Sequence, residues 1–152
     1  MDISGVFMKV SNLLFSGVVF VLVLGIMIFV HELGHYLAAR LIGVRVLMFK
    51  LGFGKYIWSF TRGHTEYGIG WIPIGGYVKM FGDPTEVEGG DEDTPLEEIP
   101  EEDRADALYY RPAGQKLLVF VSGPMMNIVM AFLVAPFIYL IGVQQPVEPE
   151  GP

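Results

Sequence analysis

Two long charge-free stretches limit what this chain can fold into. Residues 13–30 are eighteen consecutive residues without a charged side chain, and residues 117–143 are 27 more. An apolar run of about eighteen residues or more reads as a helix able to cross the ~30 Å hydrocarbon core of a bilayer. Composition points the same way: 52% of the chain is hydrophobic, and the mean hydropathy of +0.47 is high for a soluble domain. A cleaved signal peptide is the competing reading of the first run. It is rejected because the run exceeds the usual apolar core of such a peptide and no A-x-A site follows it. The 152 residues suffice for one small domain. They include no cysteine, which excludes disulfides and thiolate-ligated metal.

The first run leads into Val30-His31-Glu32-Leu33-Gly34-His35-Tyr36, an H-E-x-x-H sequence. Ionisable groups inside a membrane helix are expensive and mark function by default. On a helix, positions i and i+4 share a face, so His31 and His35 can point at one metal ion. Glu32 lies about 100° around from His31 and about 60° from His35, beside that metal, where it can act as general base on a water. The bland alternative, packed polar residues in a bundle, must bury two imidazoles and a carboxylate at membrane depth without a metal.

Three stretches together resemble the site-2 protease family of intramembrane zinc metalloproteases, in its bacterial form with a downstream PDZ domain. They are Val30 to His35, Ile72-Pro73-Ile74-Gly75-Gly76-Tyr77-Val78-Lys79-Met80, and Gly123-Pro124-Met125-Met126-Asn127. The resemblance implies that His31 and His35 bind Zn2+ and that Glu32 is the catalytic base. It implies a membrane-associated β-hairpin that holds substrate through Gly75, Gly76, Tyr77 and Val78. It implies single-span membrane protein substrates, such as anti-sigma factors or remnant signal peptides, and a multi-pass location in the bacterial cytoplasmic membrane. In this family the third zinc ligand resembles an Asp of a later helix, in an N-x-x-P-x-P-x-L-D-G type motif. No L-D-G occurs in these residues, so the chain is expected to be an N-terminal portion, completed by C-terminal helices and the PDZ domain.

The expected fold is a mainly α membrane protein. One transmembrane helix spans 12–40, after a short amphipathic lead, and a membrane-associated β region spans 44–81. An acidic loop follows over 82–107, then a second transmembrane helix over 115–143 and a linker over 144–152. Within the β region, Tyr56, Trp58 and Phe60 alternate onto one face, and Arg62-Gly63-His64 reads as a hairpin tip. His64 is read as solvated at that tip, and it and Glu66 are weak candidates for a further ligand. Pro73 and Gly75-Gly76 suit an edge able to accept an extended peptide. Residues 103–110 are expected to form a short surface helix.

Charge is unevenly spread. Of 17 acidic residues, 12 lie between Asp83 and Asp106, with Arg104 the one basic residue among them. That segment reads as a solvated spacer, in which Asp91-Glu92-Asp93 lacks the spacing of a calcium loop. It says nothing about substrates, and no nucleic-acid partner is expected. Arg40, Arg45, Lys50 and Lys55 follow the first helix whereas only Lys9 precedes it, which puts residues 40–116 in the cytoplasm and both termini outside. His31 is then about 13 Å from Arg40 along one helix, and Asn127 about 16 Å from Lys116 along the other. At matching depths, Asn127 is a candidate either for the active site, contacting substrate backbone, or for a plain interhelical hydrogen bond. Two rival functions remain: a non-catalytic membrane module that keeps the motif, and a soluble zincin with a buried helix.

Overall fold

The computed structural model describes residues 3–83 and 99–142, with side chains from Val6 onward. Two helices long and apolar enough to cross a membrane flank a small two-stranded antiparallel sheet. The first helix, α1, is Ile3–Leu41, and the second, α2, is Ala113–Ile141. α1 begins well before residue 12. The supposed lead is helical and continuous with the apolar run, because nothing between Ile3 and Ser11 breaks a helix. The expectations for Asp91-Glu92-Asp93 and for the linker fall outside the described residues.

The sheet consists of β1 (Val46–Arg62) and β2 (Thr65–Met80). Gly63 and His64 form the tight turn between them, with Gly63 at φ 65°, a backbone region that favours glycine. Both strands bend where glycines take positive φ, at Gly52 and Gly54 in β1 and at Gly75 in β2. The bends give Met48, Phe49, Lys50 and Leu51 two sets of partners. On one side they meet Glu66, Tyr67, Gly68 and Ile69, and on the other Lys79, Val78, Tyr77 and Gly76. The hairpin thus folds back on itself, and its Gly76 end is brought alongside α1.

A buried cluster joins the sheet to the ends of the helices. It contains Ala38, Ala39, Val44, Val46, Phe49, Val78, Met80, Leu108 and Val119, with Tyr36 and Tyr67 packed against it. The Tyr36 and Tyr67 hydroxyls are 2.7 Å apart, and the Tyr36 ring meets the Phe49 ring edge-on at 5.4 Å.

Residues 103–110 are not the surface helix that was expected. They form two 3-10 turns, Arg104–Asp106 and Leu108–Tyr110, and Leu108 is fully buried. The segment is held as a clasp instead. The N–H groups of Leu108 and Tyr109 donate to the carbonyls of Phe81 and Gly82 at 2.8 and 2.9 Å. Arg45 donates to Asp103 and Asp106 at 2.8 and 2.7 Å, hydrogen bonds that push its guanidinium still further above its ordinary pKa. Arg111 donates to the carbonyls of Gly43 and Ala105, which ties the start of α2 to the end of α1.

Candidate metal centre

The motif on α1 is divided between two partners by helical geometry. One face of α1 carries His31, Gly34 and His35 and meets α2. The adjacent face carries Phe29, Glu32 and Tyr36 and meets the sheet. These faces follow from the 100° step per residue, which separates neighbours while stacking residues three or four apart.

Close approach of the helices depends on glycine. A Cβ built at Gly34 would collide with the Ser122 carbonyl oxygen and lie 2.8 Å from Met126 Cγ. Across this crossing, His35 Nδ1 sits 2.7 Å from the Val119 carbonyl oxygen. A carbonyl only accepts, so Nδ1 carries the proton and His35 Nε2 presents a lone pair. Such outer hydrogen bonds orient histidine ligands in metal sites. The same carbonyl also accepts from the Ser122 hydroxyl at 2.6 Å.

His35 Nε2 lies 3.2 Å from His31 Nε2, so the two potential ligand atoms converge. Gly123 faces them. A Cβ there would collide with His35 Nε2 and lie 2.8 Å from His31 Nε2. The missing side chain leaves a space bounded by two imidazole nitrogens, which suits a metal ion. Asn127 Nδ2 is 3.3 Å from His31 Nδ1, and Asn127 Oδ1 is buried without a partner. Among the described residues, no group of three His, Cys, Asp or Glu side chains surrounds one point. His64 lines a separate cavity with Arg40 and Arg62, and Glu66 neighbours Tyr56 on the sheet.

On the other face, a Cβ at Gly76 would lie 2.6 Å from Glu32 Cγ and 3.0 Å from Ile28 Cγ2. The bend at Gly75, φ 83°, therefore delivers bare backbone directly onto the Glu32 side chain. A Cβ at Gly75 would strike the Phe53 ring. Tyr77 pairs with Lys50 in the sheet, while the Val78 side chain is in the buried cluster and leaves only its backbone for another role. Sequence reasoning missed Gly34, Gly123 and the Val119 carbonyl as parts of this site. Gly34 and Gly123 could have been suspected as small residues at a membrane-helix crossing. A backbone carbonyl has no sequence signature.

A helix-borne H-E-x-x-H pair, sealed against a second apolar helix and covered by a hairpin, defines a metallopeptidase-type site. The sequence profile of peptidase family M50 matches residues 19–148. The chain is 38% identical over 133 residues to the regulator of sigma-E protease RseP of Salmonella typhimurium, which covers 87% of this chain and 27% of that protein. Against RseP of Escherichia coli it is 38% identical over 125 residues, covering 82% of this chain and 25% of that protein. A Thermotoga maritima protein that carries the name zinc metalloprotease is 40% identical over 116 residues, covering 76% of this chain and 21% of that protein. The chain belongs to peptidase family M50, the site-2 proteases. It spans about a quarter of the length of the curated relatives it matches.

Proposed function

We propose that this chain forms part of a zinc endopeptidase that cuts within or beside the transmembrane segment of a single-span membrane protein. The carrying observation is the convergence of His31 and His35 Nε2 on the space left by Gly123, with Glu32 on the neighbouring face of a membrane-length helix. His31 and His35 would hold the zinc, which supplies a Lewis acid that polarises the scissile carbonyl and acidifies the attacking water. The Glu32 carboxylate takes the water proton and returns it to the leaving amine.

A transmembrane substrate hides its amides in helical hydrogen bonds and must be unwound before attack. The backbone at Gly75, Gly76, Tyr77 and Val78 is suited to holding it extended by strand addition, and Gly76 lies against the general base. Both helices expose apolar side chains along their length, which suits insertion of α1 and α2 in the cytoplasmic membrane. A catalytic zinc takes three protein ligands and a water. The third ligand is proposed to come from a segment outside these 152 residues, consistent with relatives about three times as long.

The test is Glu32→Gln in a protein that contains this chain and cleaves a single-span reporter. Cleavage should vanish while zinc stays bound. Retained turnover, or loss of zinc together with the fold, would remove Glu32 from the role of base. For topology, single cysteines at Asp91 and Gln145 should label from opposite sides of an intact membrane; labelling from one side would end the two-span reading.

A further inference from the structure

We propose that Asn127 is a positioning residue whose amide decides which ring nitrogen of His31 carries the proton, and hence whether His31 can offer Nε2 to a metal. This rests on the reading of His31 and His35 as the zinc pair.

The hydrogen bonds form one directed chain, and the tautomers follow from their heavy-atom partners. With Asn127 Nδ2 turned to the ring, it can only donate, so in this amide orientation His31 Nδ1, 3.3 Å away, accepts and the ring proton sits on Nε2. That Nε2–H points at His35 Nε2, 3.2 Å away. His35 in turn donates from Nδ1 to the Val119 carbonyl at 2.7 Å. Each of these ring protons has an acceptor, yet His31 is closed as a ligand because its Nε2 is protonated. The unused group is Asn127 Oδ1, buried and without a partner.

A half-turn of the amide about its Cβ–Cγ bond exchanges oxygen and nitrogen in nearly the same space. Oδ1 then accepts from His31 Nδ1–H. The ring proton leaves Nε2 and arrives at Nδ1 through water, so none is gained or lost. Both Nε2 lone pairs now face the space beside Gly123. Asparagine is suited to this because its amide offers a donor and an acceptor at one site, whereas Asp offers acceptors alone and Leu neither.

The test uses the metal-free chain in detergent with 15N-labelled histidine rings, the His31 signals being identified by their loss in His31→Gln. In the native chain His31 should carry its proton on Nε2. In Asn127→Asp it should carry it on Nδ1, and in Asn127→Leu the single tautomer should give way to a mixture. His35 should be Nδ1-protonated in all three. Zinc titration should show Asn127→Asp binding at least as tightly as the native chain and Asn127→Leu about 10–100-fold more weakly. If Asn127→Asp fails to fold, Asn127→Leu decides alone. An unchanged His31 tautomer, or native zinc affinity in Asn127→Leu, overturns the proposal; the latter with a raised KM in the complete enzyme would mean that Asn127 contacts substrate only. A complete enzyme that binds no zinc but shows the tautomer change keeps the Asn127–His31 coupling and overturns the zinc reading instead.

Discussion

The two halves of α1 are both rich in apolar residues and stand in opposite circumstances. In the first half, Leu13, Phe15 and Phe20 are about 70% exposed, and Gly17 has no other group within 4 Å of where a Cβ would be. In the second half, Ala38 and Ala39 are buried, Gly34 touches α2 and Glu32 touches the sheet. His31, Glu32, His35 and Tyr36 all lie in the packed half, whereas the other half has Lys9 alone, near its start. A polar group at membrane depth needs partners that lipid cannot give, and His31 and His35 find theirs on α2. The bare half needs none, since its side chains are as apolar as the lipid they are proposed to meet.

The contrast can be broken most severely at the metal space itself. Gly123→Val should fill the gap opposite the two imidazoles and abolish measurable zinc binding by the chain, read by metal analysis after dialysis alongside a native control. Binding at native affinity would show that the ligands face elsewhere. Leu108→Ala should cost about 2–5 kcal/mol, since the side chain is fully buried beneath the clasp, as read by thermal unfolding in detergent.

Gly34→Leu and Gly17→Leu form a matched pair on one helix. The first must push apart two backbones and should cost about 1–3 kcal/mol or more. The second meets nothing and should stay within about 0.5 kcal/mol of native. Equal effects would mean that the helix crossing described here does not form. Among residues that make contacts, Arg45→Gln should cost least, about 1 kcal/mol or less. Its partners Asp103 and Asp106 are 35% and 45% exposed, so water screens much of each pair. A larger loss would show that the clasp is what holds the hairpin to the helices.

Part of this architecture was legible because it is local. The two helices follow from uninterrupted apolar runs, the turn at Gly63-His64 from a glycine between alternating strands, and the ligand pair from an i, i+4 repeat. The N-terminal limit of α1 has no local signal, since a polar lead with one lysine near the end costs a helix little. The clasp was misread because its pattern is short and its one buried anchor, Leu108, is secured by backbone bonds to residues 27 positions earlier.

By itself, then, the sequence determined the membrane-length helices, the placement of His31, Glu32 and His35 on one of them, and the family to which the chain belongs. Only the tertiary structure decided what completes the site. The rotation of α2 against α1 sets Asn127 on His31 and the Val119 carbonyl on His35, across 96 and 84 residues of chain. The bend at Gly75 lays Gly76 over Glu32. None of these contacts has a local pattern. They depend on how closely two backbones approach, and the groups that permit or make that approach are glycines and a carbonyl, which look alike wherever they occur in a sequence.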